Sequence, residues 1–324
     1  ASYALALLGA EVIKIERPGT GDLARKMGAS TELGKALMGA SFLSTNSNKK
    51  SVTLDLQSAK GKEILLRLVA DADVLLENFR PKTMERLGLG YDTLRARNPR
   101  LVYCAVSGFG QEGPLAQRAA YDQIIQGFSG LMSLTGSAQD GPTRAGFTVC
   151  DATSAITAAM AILAALYRTR DSGVGTMIDV SMLDSSLALA SWIISNFVNA
   201  GAIPKPMGNQ NHSAAPSGAF PTKEGLLNLV CNEDKQFEAL CEAIDRPDLK
   251  TDPVGALGSY IYSDSVKTYL TPPTERLSLN AINLLNFLAV GDLDGAAVEA
   301  RRFQVMREFL ASKDTWFRPV HLAN

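Results

Sequence analysis

Hydrophobic and polar positions along this chain follow two periods. A two-residue period over Glu11–Glu16 predicts a strand, which ends at the turn signal Arg17-Pro18-Gly19. Residues 59–69 place apolar side chains three and four positions apart, which is typical of an amphipathic helix. Strands are predicted on either side of it, at 52–56 and 73–77. A strand, a helix and a strand of these lengths predict a parallel βαβ unit.

The alternation continues through most of the chain. Further strands are predicted at 101–106, 177–182 and 226–231, and helices at 82–87, 92–97, 152–167, 183–199 and 234–244. Alternating strands and helices predict an α/β fold with helices on the faces of the sheet. Beyond residue 252 the pattern changes to two helices, at 279–290 and 296–309, joined by a tight turn. We therefore treat the C-terminal part as a separate helical segment.

The composition excludes several kinds of partner. The 324 residues are 46% hydrophobic and 20% charged, which is ordinary for a soluble globular protein. The net charge of −1 gives no reason to expect nucleic acid or an anionic membrane surface as a partner. No apolar run reaches the roughly 20 residues of a membrane-spanning helix. The four cysteines have no paired spacing, so we expect a reduced, cytoplasmic protein.

Histidine is scarce in this sequence. The two histidines, His212 and His321, exclude a multi-histidine metal centre and leave few bases for a serine or cysteine nucleophile. We predict no bound metal. The chain opens at Ala1, and its first eight residues resemble the end of a helix stopped by Gly9, so we expect the natural protein to begin earlier.

Asp151 is the first candidate functional residue. It precedes the small, apolar run Ala152–Tyr167, and aspartate is among the preferred N-cap residues of helices. A cap is therefore one interpretation. The other is that the unpaired N–H groups of the helix N-terminus hold a carboxylate ionised at the floor of a site.

Polar residues also follow the predicted strands. Arg17 follows the first strand, and Asn78 and Phe79, with Arg86 nearby, follow the strand at 73–77. Ligands of open α/β sheets bind at the carboxyl ends of the strands. An amide, an aromatic ring and arginines would suit a nucleotide with phosphates, by stacking and by bidentate contacts. Solvated arginines and a packed phenylalanine are the structural alternative.

Two further motifs are ambiguous. Residues 108–113 satisfy GxGxxG after a predicted strand, but no second strand ending in an acidic residue follows at the required distance, so we predict a loop. Tyr121-Asp122-Gln123 precedes an apolar helix and is compatible with a simple helix cap.

These pieces together resemble one family. The run GAEVIKIERPGTGDLAR (9–25) and the longer segments 46–114, 119–136, 141–186 and 207–244 closely resemble the class III CoA-transferases. The longer segments include the runs LLENFRPKTMERLG (75–88) and GFTVCDATSA (146–155). That family includes formyl-CoA transferase, the carnitine CoA-transferases and, as a divergent branch, α-methylacyl-CoA racemase. The resemblance covers about residues 1–253, and the tail after Pro253 does not match it.

The resemblance implies a role for Asp151. An aspartate at this position is the family's nucleophile, which attacks an acyl-CoA thioester to give an acyl–aspartyl anhydride and then an aspartyl-CoA thioester. A carboxylic acid then receives the CoA. This chemistry needs neither metal nor histidine, and a carboxylate is a competent covalent catalyst when water is excluded. The resemblance thus favours the nucleophile over the cap.

The resemblance also implies the CoA site and the fold. The family's CoA pocket, with coenzyme A as substrate rather than permanent cofactor, corresponds here to Arg17, Leu54, Leu56, Gln57, Asn78, Phe79, Arg86 and Tyr121. We expect a Rossmann-like catalytic domain over 1–200, a smaller α/β domain beginning at 201–253 and the helical segment at 254–324. The family's interlinked homodimer is expected as well.

Two alternatives remain. The racemase branch carries a histidine where this chain has Tyr121, and without that second proton-transfer group an acyl-CoA racemase or epimerase is the weaker hypothesis. A catalytically silent CoA-binding module is the other, because the two ends of the chain depart from the family pattern.

Overall fold

The computed structural model describes residues 1–211, 214–222, 225–245 and Ala300. Its helices are α1 Ser2–Leu7, α2 Thr31–Lys35, α3 Ala40–Asn46, α4 Ala59–Ala70, α5 Thr83–Arg86, α6 Tyr91–Arg97, α7 Asp122–Phe128, α8 Leu131–Leu134, α9 Val149–Ser172, α10 Met182–Leu189, α11 Ser191–Ala200 and α12 Asp234–Asp245. Its strands are β1 Val12–Glu16, β2 Lys49–Thr53, β3 Val74–Glu77, β4 Val102–Ser107, β5 Gly136–Ser137, β6 Gly141–Pro142, β7 Thr176–Ser181, β8 Ser217–Thr222 and β9 Gly225–Val230. The predicted α/β class is confirmed. The helices predicted at 279–290 and 296–309 lie outside the described residues.

Two parallel ladders organise the N-terminal part. Strand β1 pairs with β2, and a second ladder has the order β3-β4-β7, with all pairs parallel. The βαβ unit predicted around α4 is therefore wrong in its pairing, because its two strands, β2 and β3, belong to different ladders. The adjacent parallel pair is instead β3 and β4, which α5 and α6 connect.

The second strand ends earlier than predicted. The sequence pattern placed it at 52–56, whereas β2 covers Lys49–Thr53. Its partner β1 pairs Glu16 with Thr53 and is followed by Arg17-Pro18, where proline has no N–H for a ladder. The pairing therefore stops, and Leu54 to Gln57 lie beyond the strand.

Two other predicted boundaries were wrong. The helix predicted at 183–199 is two helices, α10 and α11, separated at Ala190. No glycine or proline marks this junction in the sequence. The helix predicted at 152–167 begins three residues earlier and ends five residues later, as α9.

One face of the β3-β4-β7 sheet packs against large aliphatic residues of α4, α6 and the loops around them. Leu65, Val69 and Leu94 are buried there against Tyr103 of β4, and Leu54 joins them from the end of β2. The other face is covered by α9, whose small buried residues Ala158 and Ala159 allow close packing on β4 and β7.

Helix α9 has two very different faces. Ile162 is fully buried, whereas a row of apolar side chains on the opposite face is 45–70% exposed: Ile156, Met160, Leu163 and Tyr167. By length and composition this 24-residue helix could cross a membrane, contrary to the expectation from run lengths. The buried core helix of a soluble protein has the same properties, and α9 packs on β4, β7, α7 and α10.

The chain divides after Pro206 into two compact units. In the second unit, β8 and β9 form an antiparallel hairpin, and Leu229 and Cys231 pack against Leu240 of α12. The finer division at residues 200 and 253 stays a prediction.

Truncating a fully buried core residue should destabilise the N-terminal unit. Leu94 is fully buried, so Leu94→Ala is expected to lower the free energy of unfolding by about 2–5 kcal/mol through lost burial and the cavity left behind. Leu43→Ala, at a helical position that is 41% exposed, should change it by less than about 1 kcal/mol. Urea unfolding measures both, and equal losses would contradict this packing.

Candidate active site

Helix α9 begins before Asp151. Its first residue is Val149, and Thr148 at the N-cap position makes no capping bond through its side chain. Asp151 is thus the third residue of the helix, and its interpretation as the N-cap was wrong. The first N–H groups of a helix have no partner within the helix, so another residue must accept them.

Asp122 supplies this acceptor from a different helix. Its Oδ1 accepts hydrogen bonds from the backbone N–H groups of Cys150, at 2.8 Å, and Asp151, at 3.1 Å. Asp122 is 7% exposed. The sequence suggested only that residues 121–123 cap their own helix, whereas the Asp122 carboxylate caps α9, a contact across 28 positions that no local pattern reveals.

The Asp151 carboxylate is left accessible. The residue is exposed, and no group within the described part of the chain donates a hydrogen bond to its side chain. Partial desolvation and, second, the negative charge of Asp122 raise the pKa of Asp151 above its usual range. A carboxylate that is accessible, unbound and more basic than usual has the properties of a nucleophile.

The predicted CoA-binding residues lie at the carboxyl ends of parallel strands. Glu16 pairs with Thr53, so Arg17 and Leu54 are the first residues beyond neighbouring strands. Arg17 is exposed, whereas Leu54 is buried in the core and its N–H donates to the Glu16 carbonyl oxygen at 2.9 Å. Leu56 is half-buried and Gln57 is exposed.

Asn78 and Phe79 follow β3 directly. A half-buried carboxylate fixes this segment: Glu77 accepts the N–H of Phe79 at 2.6 Å and the hydroxyl of Tyr103 at 3.1 Å. Burial, above all, raises the pKa of Glu77. The Phe79 ring is 45% exposed and Asn78 is exposed, so both are presented to solvent on a restrained backbone.

The remaining two predicted residues occupy helix ends. Arg86 lies in the last turn of α5, exposed, and donates a hydrogen bond to the Thr83 hydroxyl at 2.8 Å. Tyr121 is 81% exposed at the N-cap position of α7. It directly precedes Asp122, whose carboxylate binds the backbone of Asp151, so the structure brings Tyr121 and Asp151 to the same region.

A buried carboxylate, that of Glu16, organises the loop that contains Arg17. Glu16 accepts two hydrogen bonds from Arg25, at 2.6 and 2.7 Å, one from the Ser51 hydroxyl and one from the N–H of Asp22. The Arg25 guanidinium in turn lies 3.8 Å from the centre of the Phe42 ring. These bonds, those from Arg25 foremost, lower the pKa of Glu16 to about 2. Sequence reasoning missed this network because its members are far apart in sequence.

The GxGxxG match at residues 108–113 is not followed by a helix, as predicted. Residues 108–113 form a loop, and the next helix, α7, starts only at Asp122. The N–H of Gln111 in this loop donates to Asp179 at 2.8 Å. Among the described residues, no group of three or more histidine, cysteine, aspartate or glutamate side chains is arranged to hold a metal ion.

The fold and this site define a class of protein. The model of CoA-transferase family III matches residues 1–260, and the chain belongs to this family. A CAIB/BAIF family protein from Brucella suis has a similar structure, with a TM-score of 0.69 and 30% identity over 98% of this chain and 79% of that one. A Mycobacterium tuberculosis protein has a TM-score of 0.65 at 36% identity, over 76% and 64% of the two chains.

Curated relatives carry related names. Succinate–glutarate CoA-transferase of Agrobacterium fabrum is 37% identical over 88% of this chain and 72% of its own length. Acetyl-CoA:oxalate CoA-transferase of Acetobacter aceti is 41% identical, over 76% and 62%. Human succinyl-CoA:glutarate CoA-transferase is 37% identical, over 75% and 55%. The chain thus spans about 55–72% of the length of these relatives.

Removing the Glu16 charge should change how stability depends on pH. A folded pKa of about 2, against an ordinary value of 4.5, means that Glu16 stabilises the fold above pH 4.5 and that this contribution disappears as the pH falls towards 2. Glu16→Gln is therefore expected to lower the free energy of unfolding by roughly 3 kcal/mol at pH 7, and by less at acid pH. Urea unfolding between pH 7 and pH 2.5 measures the difference.

The matched control is Glu11→Gln, because Glu11 is an exposed glutamate that forms an ion pair with the exposed Lys50. Exposed pairs contribute little, so this variant should follow the wild-type pH dependence. If the free energy of unfolding differed between Glu16→Gln and wild type by the same amount at all pH values, the pKa assigned to Glu16 would be contradicted.

Proposed function

We propose that this chain is the CoA-binding, nucleophile-bearing part of a CoA-transferase that moves CoA from an acyl-CoA to a carboxylic acid through Asp151. The observation that carries the proposal is the accessible Asp151 carboxylate, whose own backbone N–H is held by Asp122. Membership of CoA-transferase family III, and relatives named for CoA transfer to and from succinate, glutarate and oxalate, support it.

The reaction begins at the carboxylate of Asp151. One carboxylate oxygen attacks the thioester carbon of the acyl-CoA, the C–S bond breaks, and an acyl–aspartyl anhydride and the CoA thiolate result. The thiolate then attacks the aspartyl carbonyl carbon of the anhydride. This releases the donor's carboxylate and leaves an aspartyl-CoA thioester.

The second half repeats these steps in reverse. The acceptor carboxylate attacks the aspartyl thioester, displaces the CoA thiolate and forms a new anhydride with Asp151. The thiolate attacks the acceptor's acyl carbon, which yields the new acyl-CoA and regenerates the Asp151 carboxylate. Each step exchanges one acyl bond for another, so no redox partner or net proton is needed.

CoA would be held along the carboxyl ends of the strands. Arg17 and Arg86 present exposed guanidinium groups for phosphates, and the exposed ring of Phe79 presents a stacking surface for the adenine base. Asn78, Gln57 and the backbone at Leu54 and Leu56 would add polar contacts. Tyr121, beside Asp122, would lie near the thioester end.

The covalent intermediate gives the direct test. Incubation with a panel of acyl-CoA thioesters should add mass to the Asp151 peptide, and hydroxylamine should remove it. Asp151→Asn should abolish the adduct, because an amide is a far weaker nucleophile than a carboxylate. Intact-protein and peptide mass spectrometry measure both.

Asp171→Asn is the matched control, since Asp171 is an exposed aspartate at the other end of α9. It should form the adduct at the wild-type level. Retained CoA binding with no adduct from any donor would leave a silent CoA-binding module. Deuterium exchange at the α-carbon of an acyl-CoA without an acceptor would identify a racemase instead.

We further propose that the protein is a cytoplasmic homodimer. Four exposed apolar side chains lie in one row along α9, and a row of this kind supports a partner surface there. Cys104, Cys150 and Cys231 are buried and form no disulfide, which supports a reducing compartment.

Introducing a charge into this row should weaken the dimer. Met160 is 66% exposed in the middle of the row, so Met160→Asp places an unpaired carboxylate in the proposed interface. We expect a shift from dimer to monomer in sedimentation velocity at micromolar protein. Lys60→Asp, at an exposed position on α4, should leave the dimer unchanged. A wild-type monomer, or a dimer that tolerates Met160→Asp, would refute this interface.

A further inference from the structure

A buried polar pair lies beneath the start of α9. Asp122 and Gln126 are one turn apart on α7, with exposures of 7% and 1%. The Gln126 side-chain amide donates to Asp122 Oδ2 at 2.5 Å. Buried polar side chains are tolerated when their hydrogen-bonding groups are satisfied, so the partners of this pair indicate what it does.

The pair binds both ends of the segment that leads into Asp151. At its beginning, Gln126 Oε1 accepts the N–H of Ala145 at 2.8 Å. The Gln126 side-chain amide also donates to the carbonyl oxygen of Phe147 at 3.3 Å. At its end, Asp122 Oδ1 accepts the N–H groups of Cys150 and Asp151. Residues 143–148 belong to no helix or strand, so regular structure does not restrain them.

Each side chain fills one chemical role in this arrangement. Both oxygens of Asp122 only accept hydrogen bonds, as an ionised carboxylate does. Gln126 uses its amide as donor and its carbonyl oxygen as acceptor. A replacement that puts two donors or two acceptors face to face would break the internal bond and release the segment.

We propose that Asp122 and Gln126 are positioning residues for catalysis: together they fix the backbone of residues 145–151 so that the Asp151 carboxylate is held ready to attack the thioester. The inference rests on the proposed function of Asp151. Neither side chain needs to contact substrate. Small displacements of a reacting group lower the rate strongly, which makes the restraint consequential.

The exchange of the two functional groups provides the test. In Asp122→Asn alone, the new amide donor faces the Gln126 amide donor. In Gln126→Glu alone, two carboxylates face each other. The double variant restores a donor opposite an acceptor between the two side chains, and it keeps acceptors for the N–H groups of Ala145, Cys150 and Asp151. It lacks only the longer donation from residue 126 to the Phe147 carbonyl oxygen. Gln123→Glu, on the exposed face of α7, is the matched control.

The first readout is chemical. We expect each single variant to form the Asp151 adduct about 10- to 100-fold more slowly, since one or two buried hydrogen bonds are lost. The double variant should recover to within about fivefold of wild type, and the control should match wild type. The dissociation constant of CoA, by calorimetry, should change less than about threefold in all of them.

The second readout reports the backbone directly. Hydrogen exchange of the 143–152 peptide should accelerate in the single variants and slow again in the double variant, with global unfolding unchanged. Unchanged exchange in the singles, or adduct rates that follow only the loss of global stability, would overturn the positioning role. Absence of any adduct in wild type would overturn the proposed function instead, while exchange still decides whether the pair restrains the segment.

Discussion

The N-terminus of α9 sets the constraint on which the site depends. Its first N–H groups have no acceptor within the helix, and Asp122 of α7 accepts those of Cys150 and Asp151. The contact ties α7 to α9 and leaves the Asp151 side chain free of bonds from the described residues. It also places a negative charge near Asp151, which helps to raise the pKa of that carboxylate. Structural support and chemical tuning therefore come from the same residue.

Carboxylates that are buried or half-buried lie where two of the strands end. Glu16 is the last residue of β1 and Glu77 the last residue of β3. Each accepts a backbone N–H from the loop that follows, that of Asp22 and that of Phe79. Loops at the carboxyl ends of parallel strands carry the binding residues of α/β proteins. In this chain, the last residue of each of these two strands restrains the loop in which a predicted CoA-binding residue lies.

Much of the fold was predictable from local pattern. The strands β1, β3, β4 and β7 and the helices α4, α6 and α12 lie where the sequence pattern places them, because their apolar residues pack against the core. The continuous apolar run of β4 reflects burial on both of its faces. The break at Ala190 and the early end of β2 were not predictable. The first has no glycine or proline signal, and the second depends on the partner strand, which ends before Pro18.

For the candidate site, the sequence by itself determined which residues to propose, Asp151 and those that follow β1 and β3, because their motifs are local and resemble those of a family to which the chain belongs. Only the tertiary structure decided where α9 begins and what holds it. Asp122 and Asp151 are 29 residues apart, and Gln126 is 19 residues from Ala145. Hydrogen bonds across such separations leave no periodic signal in the sequence, since they depend on how α7 packs against α9.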